Sequence, residues 1–147
     1  MQLLEDVLSK KLVWLLFIAY CGFIVWMTLL NRSVYVRQCE FCLFWALQEL
    51  AVGGLEGVKG IVWYLENILL FMPFGFFLSA INECRWKKVV LSGFAVSAVI
   101  EITQYITARG LTELDDMTAN TIGAGTGFLL WKVVTRMMDS QKKKLRE

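Results

Sequence analysis

The stretch Val96–Gly127, VSAVIEITQYITARGLTELDDMTANTIGAGTG, leaves one apolar segment through a short acidic turn and enters another. Glu101 lies inside the first of these segments. A charged side chain at the centre of a bilayer costs about 2.5–3.5 kcal/mol, so an intramembrane carboxylate reads as functional unless something else explains it. The rest of the chain is organised around that residue.

Composition places the chain in a membrane. Its 147 residues are 57% hydrophobic and 14% aromatic, with one proline and a mean hydropathy of +0.56. A soluble domain of this size could not bury so much apolar surface. The net charge of +2 is too small to imply a nucleic-acid partner. Histidine is absent, which removes the commonest metal ligand and the usual general base near neutral pH. Cys21, Cys39, Cys42 and Cys84 do not make a disulfide scaffold. Cys39-x-x-Cys42 is at most half a zinc site, so neither a metal nor a cofactor is expected. A disulfide between the two remains open.

Residues 12–30 form nineteen consecutive uncharged positions, enough for a spanning helix, and the exit TLLNRS lacks a small-x-small cleavage pattern. Phe41–Val52 suggests a short interfacial helix, and Gly53, Gly54, Gly57 and Gly60 suggest a loop. Val62–Ile81 is a second span, with Pro73 expected to kink it. Val89–Ala108 is the third and Ala119–Met138 the fourth. The expected architecture is an all-α integral membrane four-helix bundle with an interfacial helix in the first outer loop. Its parts are 1–61 (first helix and outer loop), 62–138 (a three-helix core) and 139–147 (a basic cytoplasmic tail).

Orientation follows from Lys and Arg. Residues 82–88 carry Arg85, Lys87 and Lys88, and four more cations follow Asp139, whereas the 109–118 loop is acidic. The positive-inside rule then places both termini in the cytoplasm.

With this topology, Asn67 and Glu101 lie about 8 and 10 Å below the outer boundary, at about 1.5 Å per residue. Ser97, Glu101 and Gln104 share one helix face. Asn120 opens the last helix, and Arg109, Asp115 and Asp116 sit in the loop above. Together these residues imply a polar pocket open to the outside or the outer leaflet. Arg109 would recognise an anion or admit protons at its mouth, with one aspartate pairing with it and the other capping the helix. Glu66, next to the boundary, is expected to point elsewhere. The bland alternative makes Glu101 helix–helix glue bonded to Asn67 or Gln104, with Ser97 and Gln104 as packing partners and Arg109 in a solvated salt bridge. Ala119, Gly123 and Gly127, at every fourth position, read as a close-packing line; Gly75 and Pro73 belong with helix packing and kinking.

The segment Asn67-Ile-Leu-Leu-Phe-Met-Pro73-Phe-Gly75-Phe, followed by Ser97, Glu101, Gln104, Arg109, Asp116, Asn120-Thr-Ile-Gly123-Ala and Gly127, resembles the VanZ-like family of small bacterial membrane proteins. The resemblance covers about residues 67–128. An Asn-Leu-x-Pro-Phe segment that many members carry before the second helix is absent, and three acids compete for the family's acidic position. The resemblance implies a multi-pass protein of the bacterial cytoplasmic membrane and resistance to teicoplanin, a lipid-tailed glycopeptide. The expected partners are membrane lipids and a lipid-linked envelope precursor or lipoglycopeptide, and an oligomer is compatible with the sequence. The competing readings are a proton-coupled transporter or lipid carrier using Glu101, and a lipid-modifying enzyme. With no nucleophile–base set or metal cluster in view, a non-enzyme is expected.

Overall fold

A computed structural model describes residues 2–33, 39–82 and 85–144. Cys84, part of the first outer loop and the last three tail residues, all named in the sequence reading, lie outside that set. The described residues form α1 (Gln2–Val25), continued by a π-helical turn (Trp26–Leu30), then β1 (Cys39–Glu40), α2 (Trp45–Ala51), α3 (Glu56–Asn82), α4 (Trp86–Thr107), β2 (Thr112–Glu113) and α5 (Leu114–Lys144).

Three segments are long and apolar enough to cross a membrane: Lys10–Leu30, Glu56–Ile81 and Trp86–Thr107. The α5 helix, 31 residues long, is not among them. It packs against both α3 and α4, so much of its apolar requirement is met by small residues touching protein, not by large ones touching lipid. Gly123, Ala124, Gly125 and Gly127 are all buried.

Helix boundaries differ from the sequence reading in two places. Gly57 and Gly60 lie inside α3, not in a loop. Both are buried, and a Cβ at Gly57 would meet the Leu50 and Ala46 backbone, while one at Gly60 would meet Ala46 and Trp45. These glycines are therefore the bed on which α2 lies, a tertiary use that local propensity cannot reveal. The last helix begins at Leu114, five residues before the expected start, and continues through Lys144 into the basic segment.

The α3–α5 seam is built on small residues. A Cβ at Gly75 would collide with the Ala124 carbonyl, one at Gly123 with the Ile68 carbonyl, and one at Gly127 with the Met72 carbonyl and the Phe76 nitrogen. Pro73 sits within α3 without ending it, and the Tyr20 hydroxyl donates to the Leu70 carbonyl three residues earlier (2.7 Å). Beside the seam, Ile24, Phe71, Phe74, Val89, Ile100, Ala124 and Phe128 form the apolar core. Trp86 meets Phe128 edge-on toward the start of α4.

Cross-links set the helix directions. Gln104 bonds to Thr28, Asn67 to Asp116 and Asn120 to Ser97. The ends of α1 and α4 therefore lie beside the beginnings of α3 and α5, and all the linking polar groups collect at one end of the bundle.

Candidate functional site

Local chain chemistry brings the site together. The α4 helix ends at Ala108, a non-glycine residue in the left-handed region (φ 54°). Its N–H donates to the Tyr105 carbonyl, and the Arg109 N–H donates to the Gln104 carbonyl. This pair of bonds satisfies the orphan carbonyls at the helix end and reverses the chain. Gly110 follows with φ 87°, and its N–H donates to the Ser33 carbonyl at 3.3 Å. The chain thus doubles back over α4, and β2 pairs in parallel with β1, Cys39 opposite Thr112 and Glu40 opposite Glu113.

That reversal determines the environment of Glu101. The residue is 3% exposed, and its carboxylate accepts the backbone N–H of Glu113 at 3.0 Å. The Thr112 hydroxyl donates to the Glu101 carbonyl at 3.3 Å. One turn further along α4, the Gln104 amide donates to the Thr28 carbonyl at 2.9 Å. A π-helical turn at Trp26–Leu30 changes the i→i−4 bonding around Thr28, and the Gln104 donor arrives there from another helix. One turn earlier, the Asn120 amide donates to the Ser97 hydroxyl at 2.8 Å. The Gln104 Oε1 and Asn120 Oδ1 atoms are buried acceptors without a hydrogen-bond donor among the described residues.

Above this buried layer lies a pocket of about 660 Å³. The end of α1 contributes Met27 and Arg32, α3 contributes Trp63, Glu66 and Asn67, and the returning chain contributes Gly110, Leu111, Glu113 and Asp116. Asn67 donates to Asp116 at 2.5 Å, and Tyr64 and Thr118 hydroxyls meet one step away at 3.1 Å. Burial pushes Glu113 up to about 7, helped by the Asp116 and Asp115 carboxylates and opposed by Arg32. Burial likewise raises Asp116 to about 6, with Arg32 opposing and Asp115 adding to the shift. Both directions follow from charge repulsion and desolvation.

Several placements differ from the sequence reading. Asp115 accepts the Phe44 N–H at 2.6 Å and so anchors the residue that precedes α2, while Asp116 faces Asn67. Neither aspartate pairs with Arg109. Among the described residues the one ion pair is Lys59 with Glu56. Arg109 is half-buried and absent from the pocket wall, where Arg32 is the cation. Glu66, expected to point elsewhere, lines the pocket. Arg32, Glu66, Glu113 and Trp63 were not legible as site residues: Arg32 and Glu113 lie outside the long helices, and Trp63 and Glu66 open the apolar run that starts at Val62, where a charged or aromatic residue signals a membrane boundary equally well. Cys39 and Cys42 are exposed free thiols. Among the described residues, no group of three or more His, Cys, Asp or Glu is placed to hold a metal ion.

A family model described as VanZ/LLP1 matches residues 17–135, which take in α2, α3 and α4 whole, parts of α1 and α5, and every residue of the site. The chain belongs to the VanZ/LLP1 family. It is also similar to Protein VanZ of Enterococcus faecium, at 29% identity over 79 residues. That match covers 53% of this chain and 49% of the relative, so the chain spans about half the length of the relative it matches. No solved structure matches the chain. Family membership and three spans by length and composition make this VanZ-like chain a membrane protein.

Proposed function

We propose that this VanZ-like chain is a multi-pass, non-enzymatic protein of the bacterial cytoplasmic membrane, with both termini inside, that protects cells against teicoplanin. In this reading the fourth span is the middle of α5, and the pocket opens to the outer leaflet. The pocket engages lipid-linked or lipid-tailed molecules and alters how they sit at the membrane surface. Protection therefore depends on the drug's lipid tail.

The observation that carries this reading is the position of the pocket. It lies at the end of the bundle where α3 starts and the span from α1 finishes, and its lining mixes Met27 and Trp63 with carboxylates. A site with an apolar wall and a polar floor at a helix end suits a molecule with a tail in the bilayer and a head in water.

The test is susceptibility to teicoplanin and vancomycin in a sensitive Gram-positive host expressing wild type, Glu101→Gln or empty vector at matched membrane abundance. Protection against teicoplanin alone, lost in Glu101→Gln, supports the reading. Equal protection against vancomycin counts against the role of the tail.

A further inference from the structure

The pocket's charge is the reverse of what an anion site needs. Glu66, Glu113 and Asp116 line it against one cation, Arg32. Glu40 stands in register beside Glu113, and Glu101 lies directly beneath, bonded to the Glu113 backbone. The other side-chain donors in the lining are the Asn31 and Asn67 amides and the Trp63 indole. Asp116 receives Asn67, while no ion pair among the described residues reaches Glu66 or Glu113. Such an imbalance calls for a ligand that donates hydrogen bonds and carries positive charge.

A metal ion does not fit that description, because among the described residues no three carboxylates are gathered as a metal-binding group. The size also points to an organic ligand: about 660 Å³ is far more than the ~30 Å³ share of one water. Trp63, half exposed on the same wall, offers an aromatic surface of the kind that attracts ammonium groups. Met27 and Leu111 extend the apolar lining.

We propose that the pocket receives the headgroup of a lipid bearing a free primary ammonium. The ammonium donates to Glu66 and Glu113, a phosphate lies toward Arg32, and the acyl chains leave past Met27 and Trp63. This rests on the reading of the pocket as an outer-leaflet site, and it is independent of any effect on teicoplanin.

The experiment uses the full chain in dodecyl maltoside micelles and native mass spectrometry. The probes are dioleoyl phosphatidylethanolamine, its N-acetylated derivative, dioleoyl phosphatidylglycerol and free phosphoethanolamine. The free-amine lipid should bind about tenfold tighter than the N-acetylated and glycerol lipids, and the Glu66→Gln/Glu113→Gln variant should lose that preference. The variant's helix content and phosphatidylglycerol binding should stay unchanged, which separates lost recognition from lost folding. Equal binding of the amine and glycerol lipids, or a preference intact in the double variant, would overturn the proposal. Free phosphoethanolamine competing as well as the lipid would overturn the assignment to a lipid. A wild-type protein that protects against teicoplanin but shows no amine preference would sink this inference alone; one that prefers the amine lipid but gives no protection would sink the resistance reading alone.

Discussion

The carboxylate of Glu101 accepts the backbone N–H of Glu113, twelve residues later, at 3.0 Å. This bond joins the interior of α4 to the strand that forms the pocket wall. An apolar residue at position 101 would leave the Glu113 N–H without that acceptor, and a half-buried amide without a partner costs about 1–3 kcal/mol. Glu101→Leu should therefore lower thermal stability in detergent by that amount. Glu101→Gln keeps an acceptor oxygen and should remain near wild type in melting temperature. A Leu variant as stable as wild type would remove the structural role assigned to this bond.

Ala108 terminates α4 in a left-handed conformation, which an L-residue with a Cβ adopts at a cost of about 1–2 kcal/mol. Ala108→Gly should stabilise the protein by about 1 kcal/mol. Denaturant or thermal unfolding of both proteins in the same micelle reads this directly, and a destabilised glycine variant contradicts it.

Gly127 meets the Met72 carbonyl and the Phe76 nitrogen across the α3–α5 seam. Both obstacles are backbone, so an added methyl group must push two helices apart. Gly127→Ala should cost about 1–3 kcal/mol and reduce membrane abundance. At Gly22, where a Cβ meets nothing within 4 Å, the same substitution should be tolerated. Comparable abundance for the two variants would show that the seam is not close-packed.

The pocket carboxylates make stability depend on pH. Glu113 and Asp116 titrate near 7 and 6 in the folded protein, above the usual values of about 4.3 and 3.9 in an unfolded chain. Between those limits the folded state holds more protons, so stability falls as pH rises from about 5 to 8. The groups acting on this pair are Arg32, which opposes the rise, and Asp115 and Glu40, which favour it. Melting temperature should decline across this window, and Glu113→Gln should flatten the decline. A rise with pH would reverse the sign of the assignment.

Asp115 holds the first residue before α2 by accepting the Phe44 N–H. Leaving that part-buried N–H without its acceptor costs about 1–3 kcal/mol locally. Asp115→Ala should increase hydrogen exchange in Trp45–Ala51 while leaving the α3–α5 seam protected. Uniform exchange changes would show that the anchor is not local.

Some of this was readable from residue order. Uncharged runs long enough to span, the placement of Glu101 inside an apolar helix and the polar face shared with Ser97 and Gln104 all follow from the rise per residue and helical periodicity. The Ala119–Gly123–Gly127 spacing follows in the same way. Other features had no local signal. Gly57 and Gly60 read as loop residues because glycine is a poor helix former in isolation, yet they lie in α3 beneath α2. Arg109 is the natural cation for the acidic 109–118 loop, whereas Arg32 reaches the pocket from a segment more than seventy residues away.

By itself the sequence determined that this chain belongs to the membrane and where its apolar helices run, because hydropathy and helical rise are properties of consecutive residues. Tertiary structure alone decided which charges face each other. Chain reversal at Ala108–Gly110, the parallel pairing of β1 with β2 and the close α3–α5 seam bring together residues remote in the chain. In a low-dielectric interior the sign and hydrogen bonding of such neighbours dominate a site, so the pocket's acidic character emerges only when the helices pack.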